Sequence, residues 1–199
     1  MMQETDYLKD LSEIRSIMER SSRFISLSGL SGVLAGVYAL IGAYAAHLIV
    51  EDYRAQPHDQ VVQYLMIDAV LILLLAVGTG FFLTTRRAQA QGATIWDASA
   101  RRLLINLLIP LVTGGIFTLI LVFQGYTEIL VPSMLIFYGL ALVNASKYTL
   151  SDIRYLGFAE IGLGLIAAAI VGYSLILWAV GFGVLHIIYG TLMYFTHER

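Results

Sequence analysis

Residues 62–84 read VQYLMIDAVLILLLAVGTGFFLT, an apolar run of 23 residues interrupted by a single acid, Asp68. A helix needs roughly 20 predominantly apolar residues to cross a hydrocarbon core of about 30 Å. This segment meets that requirement, and it is not alone. Similar stretches lie at about 24–50, 103–124, 129–146, 155–172 and 174–195. The composition agrees, with 58% hydrophobic against 13% charged residues and a mean hydropathy of +0.78. The expected fold is all-α: a polytopic membrane bundle of six transmembrane helices built as three hairpins, occupying residues 24–199.

Basic residues give the orientation. With the N-terminus inside, Lys9, Arg15, Arg20, Arg23, Arg86, Arg87, Arg101, Arg102, Lys147, Arg154 and Arg199 all fall on the inner side. That is 11 of the 12 Lys and Arg residues, with only Arg54 outside. Cytoplasmic loops retain basic residues in this way, so both termini are expected in the cytoplasm. The segments between spans are too short for a separate soluble domain. The first 20 residues mix acids with bases and lack the apolar run of a cleavable signal peptide.

Composition also narrows the chemistry. The chain has no cysteine, which excludes disulfides, thiolate metal sites and palmitoylation. A net charge of −2 without a basic stripe argues against nucleic acid. No HExxH, phosphate-cradling glycine loop or serine nucleophile with a matched base occurs, so no cofactor, no metal and no enzymatic activity are expected. His47 and His186 lie toward opposite faces of the bilayer, too far apart to share one haem iron.

Residues 1–23 precede the first span. Within them Tyr7, Leu11, Ile14 and Met18 make one helical face, with Thr5 as a candidate N-cap. An interfacial amphipathic helix is the simpler reading, and a partner-binding helix is the alternative. In the first span Ser28, Gly32 and Gly36 recur every four residues, and Ala39 and Ala43 continue that side. Small residues let helix backbones approach closely in lipid, so this stripe is expected at a helix contact. The contact is either within one protomer or a homodimer face. Between the second and third spans Gly92 marks a break and Thr94 a cap, before a helix that carries Trp96 to the headgroup level. Pro110 should kink the third span, while Pro132 sits harmlessly in the first turn of the fourth.

Ionisable residues at membrane depth are costly, and they are where function is sought. Glu160 lies 13 residues before Tyr173 and His186 lies 13 after it, with Gly172-Tyr173-Ser174 as the turn. Equal rise per residue then puts the two at one depth on adjacent helices. Gly157, Gly164 and Ala167 flank Glu160, and Ala179, Gly183 and Gly190 flank His186. The pair is therefore expected to touch and to share one proton as a coupled unit. It serves either to fix the hairpin register or as a proton or cation station. Asn106 and Asn144 come out at equal depth about Gly125 and are expected to bond across helices, worth well under about 1 kcal/mol. Asp68 is expected near Tyr44, with His47 one turn nearer the surface. A Tyr44–Asp68 hydrogen bond is one account of that cluster, and an ion entry site is the other.

Residues 156–194, with Gly162, Gly164, the Gly172-Tyr173-Ser174 turn, Gly183 and Gly190, resemble a hairpin of the small bacterial acid-resistance membrane proteins. The chain as a whole, including Ser21-Ser22-Arg23-Phe24, resembles uncharacterised six-span proteins of bacterial inner membranes. That resemblance implies a cytoplasmic-membrane location and carries no functional residue across. Two functions follow as expectations. One is a non-enzymatic accessory, sensing or envelope-stress bundle. The other is a small proton- or cation-linked transporter using Glu160, His186 and Asp68.

Overall fold

A computed structural model describes residues 27–56, 60–90, 96, 98–170 and 172–198. The amphipathic helix expected within residues 1–23, and the break and cap at Gly92 and Thr94, lie outside these. Six helices follow one another: α1 (Gly29–Ala55), α2 (Val61–Ala90), α3 (Ala98–Gln124), α4 (Leu130–Ala145), α5 (Ile153–Ala169) and α6 (Ser174–His197). Short 3-10 turns at Thr127–Ile129 and Ser146–Tyr148 extend α4 at both ends. No strand occurs among the described residues. The fold is all-α.

Five of the helices are long and apolar enough to cross a membrane, α4 counted with its flanking turns. The sixth, α5, has 17 residues, or about 26 Å at the usual helical rise. Helices α1 and α2 run several residues beyond the apolar stretches, so the loop expected from 51 starts only after Ala55. Exposed charged residues such as Glu51 and Arg86 continue a helix readily once its end reaches water, because propensity there no longer competes with burial. The turns are sharp. Gly125 (φ 76°) and Gly172 (φ 94°) occupy the left-handed region that disfavours any side chain.

The helices associate as two triads. Helix α1 lies between α2 and α6, and α4 lies between α3 and α5. Helices α1 with α2 and α3 with α4 pair as consecutive hairpins. Helices α5 and α6 differ from the expected third hairpin: their broadest contacts are with α4 and α1, respectively.

Glycines explain the difference. A Cβ on Gly139 would come within 2.5 Å of the Gly157 carbonyl oxygen, and one on Gly157 within 2.8 Å of the Gly139 oxygen. On the other side of the bundle, a Cβ on Gly29 would lie 2.5 Å from the Gly190 oxygen, and one on Gly36 2.6 Å from the Gly183 oxygen. Backbone therefore meets backbone at both places, with no room for even a methyl group. In lipid, where apolar side chains gain nothing by leaving the tails, such contact surfaces select the partner. The Gly157–Gly164 face of α5 is spent on α4, where a Cβ on Gly164 would strike Ile136, and the Gly183–Gly190 face of α6 is spent on α1. Those stripes were expected to hold α5 against α6, and they do not.

The first-span stripe sits at a close contact. Ser28 and Gly36 are buried, and Gly32 would bring a Cβ to 3.2 Å from the Gly190 Cα. This contact lies within the protomer. Most of α2 and much of α3 remain exposed, with Leu73, Leu74, Phe81, Phe82, Ile109 and Phe123 pointing outward.

Candidate functional site

Three helices each place one polar side chain at the centre of the bundle: Tyr138 from α4, Glu160 from α5 and His186 from α6. Glu160 is 0% exposed and His186 7%. The Tyr138 hydroxyl lies 2.7 Å from His186 Nε2, and His186 Nδ1 lies 3.0 Å from the Gly181 carbonyl oxygen. Glu160 Oε1 is 3.5 Å from the same Nδ1. Glu160 and His186, placed at one depth by the sequence, thus come together. The sequence reading did not include Tyr138.

Proton positions follow from the donors. A carbonyl oxygen only accepts, so Nδ1 carries the hydrogen and donates it to Gly181. In the neutral imidazole Nε2 is then an acceptor, and the Tyr138 hydroxyl donates to it. His186 is fully satisfied this way. Glu160 is not: neither carboxyl oxygen has a hydrogen-bond partner among the described residues, although both are buried. Leaving a buried polar group unpaired costs about 1–3 kcal/mol, more if it is charged, and such groups call for an explanation.

Local backbone shapes the site. Residues Ala179–Leu185 form a π-helix inside α6. The wider π turn is rare and concentrates at functional sites. Gly181 and Gly183 permit it, and the His186 side chain reaches back to the Gly181 carbonyl, inserting into the helical ladder. Gly181 also makes room for the acid. A Cβ there would approach Glu160 Oε2 to 2.5 Å and Leu135 Cδ2 to 2.7 Å. Trp178, Phe182 and His186 recur every four residues on α6 and stack along one side. Phe182 lies 5.1 Å from Trp178 and 5.9 Å from His186 between ring centres, and Tyr138 packs 4.9 Å from Phe182.

The other candidates are scattered. Asp68 lies beside Gly42, where a Cβ would be 3.5 Å from its Oδ2. Tyr44 is 66% exposed and makes no hydrogen bond to Asp68. It lies two positions after Gly42, about 200° around the helix, so it points away from α2. His47 is also exposed. Asp68, Tyr44 and His47 therefore form no common site. Asn106 and Asn144 do meet: Asn144 Nδ2 donates to the Asn106 carbonyl oxygen at 2.8 Å and to its side-chain oxygen at 3.2 Å.

A second polar cluster, unforeseen from sequence, closes the end of the bundle where α1 begins and α6 stops. Arg87 pairs with Glu198 at 2.6 Å and donates to the carbonyl oxygens of His197, at 2.8 Å, and Leu27. Glu198 accepts from the Gly29 amide. A carboxylate thus caps the free amides at the start of α1, and a guanidinium takes a free carbonyl at the end of α6.

No protein-family model matches the chain, and no curated protein or solved structure is significantly similar to it. The geometry stands by itself.

Proposed function

We propose that this is a non-enzymatic integral membrane protein, with six helices crossing a cytoplasmic membrane and both termini inside, that senses protons at the Glu160–His186–Tyr138 centre. The 11-to-1 distribution of basic residues supports the orientation. Helix α5, short as it is, spans because α4 and α6 flank it and its two ends reach the turns at both faces. The outward side chains of α2 and α3 then face lipid.

One observation carries the sensing role: Glu160 is completely buried, yet neither of its oxygens has a hydrogen-bond partner among the described residues. A group held this way is stable without charge and reorganises its surroundings when it ionises. The proton is the ligand that suits a site already filled by side chains. Because Tyr138, Glu160 and His186 come from three helices, a change in one hydrogen bond reaches α4, α5 and α6 together.

Proton-linked transport is the second reading, and the π segment beside the acid favours it, since broken or widened helices line sites in transporters. The transport reading uses Glu160 and His186; Asp68 stands away from them and would be a separate station. Proteoliposomes carrying a pH dye separate the two. Sensing predicts that an imposed pH gradient decays as it does in empty vesicles. Faster decay that Glu160→Gln abolishes would replace sensing with transport.

A further inference from the structure

His186 Nδ1 stands between two acceptors, the Gly181 carbonyl oxygen at 3.0 Å and Glu160 Oε1 at 3.5 Å. We propose that this N–H is a two-position switch, bonded to Gly181 while Glu160 is protonated and to Glu160 once the acid ionises, and that its position sets the register of α6. The inference rests on the sensing role proposed above and names what the sensed proton moves.

The mechanism is a hydrogen-bond exchange. In the structure the wide turn of Ala179–Leu185 coincides with a side-chain donor on the Gly181 carbonyl. Loss of the proton from Glu160 creates a carboxylate whose oxygens have no other donor among the described residues. A charge-assisted bond is roughly twice as strong as a neutral one, so Nδ1–H moves to Oε1. The Gly181 carbonyl loses that donor. With the imidazole gone from the ladder, the inserted donor no longer holds the wide turn open; closing it to α geometry exchanges the amide five residues on, that of His186, for the amide of Leu185, four residues on. No atoms are exchanged beyond the one proton that leaves Glu160 for solvent.

Closing a π turn removes one residue of excess, so the segments on its two sides rotate about 100° and shift about 1.5 Å relative to each other. Which side moves is decided by what holds each. The His186–His197 half is locked to α1 through Gly29, Gly32 and Gly190 and through the Arg87–Glu198 pair. The Ser174–Trp178 half has no glycine contact of that kind among the described residues. The outer half therefore turns.

The ionisable groups facing the switch are few. Helix α4 brings Tyr138 and α5 brings Glu160 itself. On α6, Tyr189 lies one turn along with its hydroxyl buried and without a hydrogen-bond partner among the described residues, and exposed Asp152 is the charged group bearing on it. Helix α1 packs Gly36 and Leu40 against Gly183 of the π segment, neither of them ionisable.

The chain lacks cysteine, so single labels are clean. Ile176, 60% exposed on the outer half, and Ile188, 50% exposed on the locked half, are each replaced by cysteine and spin-labelled in liposomes. Raising the pH from about 3 to about 9 spans the ordinary range of carboxyl and imidazole titration. Rotation by about 100° should lower the oxygen accessibility of the Ile176 label about twofold while the Ile188 label stays constant. Adding Glu160→Gln should hold the Ile176 label at its low-pH value throughout. Infrared spectra of the same samples report the carboxyl group. If the Glu160 band titrates while the Ile176 label keeps one accessibility, the register switch is wrong and the sensing role stands. If neither changes, both are wrong. The wild-type titration needs no substitution at the site, so a poorly folding Glu160→Gln would not protect the proposal.

Discussion

The hydroxyl of Tyr138 and Nε2 of His186 lie 2.7 Å apart, 48 residues from each other in the chain. With the Gly181 carbonyl on the other ring nitrogen, this contact fixes the tautomer of His186 and leaves Glu160 without a donor of its own. The centre is an arrangement of three helices. No single hairpin contains it.

Removing the hydroxyl should therefore be costly in a specific way. Tyr138→Phe keeps the ring against Phe182 and His186 but leaves Nε2 as a buried acceptor with no donor. The loss should be about 1–3 kcal/mol. Detergent melting of the variant checks it, with Tyr155→Phe, at an exposed tyrosine, as the neutral comparison.

Glycines at the two backbone contacts should behave differently from those facing open space. Gly190→Ala places a methyl group against the Val33 amide nitrogen and the Gly29 carbonyl oxygen, both rigid. It should destabilise by about 1–3 kcal/mol through overpacking. Gly115→Ala meets nothing within 4 Å and should stabilise by up to about 1 kcal/mol, from helix propensity alone. Equal melting temperatures for the two variants would place α1 and α6 apart.

Arg87 and Glu198 should be coupled. Each is 13% exposed at its side chain, and each also satisfies backbone groups at helix ends. Arg87→Gln and Glu198→Gln should each cost about 1.5–3 kcal/mol, the range for hydrogen bonds to charged groups, and the double variant clearly less than their sum. A strictly additive pair would show that the two ends are held separately.

Topology has a direct test. Tyr126→Cys, in the turn between α3 and α4, should react with an impermeant thiol reagent in intact cells. Lys147→Cys, in the turn between α4 and α5, should react only after permeabilisation. The reverse pattern would invert the proposed orientation.

Much of this was legible in the sequence, for reasons that particular residues make plain. Glu160 and His186 could be matched because the Gly172 turn is tight and helical rise is constant, so equal counts from Tyr173 mean equal depth. The same arithmetic about Thr149 places Tyr138 eleven residues before and Glu160 eleven after. That symmetry was the available signal for the third member, and tyrosine's frequency in membrane helices hid it. Asn106 and Asn144 were found in the same way.

Other features were out of reach because they depend on which helices become neighbours. A glycine stripe states that a backbone comes close, without saying whose, so the stripes of α5 and α6 could not announce α4 and α1. Asp68 and Tyr44 share a depth, but depth alone does not fix which way a side chain points around its helix. The π turn depends on a side chain reaching its own ladder, and Gly181 shows only that it is permitted. The Arg87–Glu198 contact joins the end of α2 to the end of the chain, and no periodicity links them.

The central claim is that a proton binds and leaves Glu160 inside the bundle. Infrared difference spectroscopy of the protein in lipid, between about pH 3 and about pH 9, reads that event at the carboxyl group itself. The account predicts a protonated-carboxyl stretch that disappears as the pH rises, is missing in Glu160→Gln, and is altered in position by Tyr138→Phe through His186. A spectrum in which Glu160→Gln removes no pH-dependent carboxyl band would contradict it.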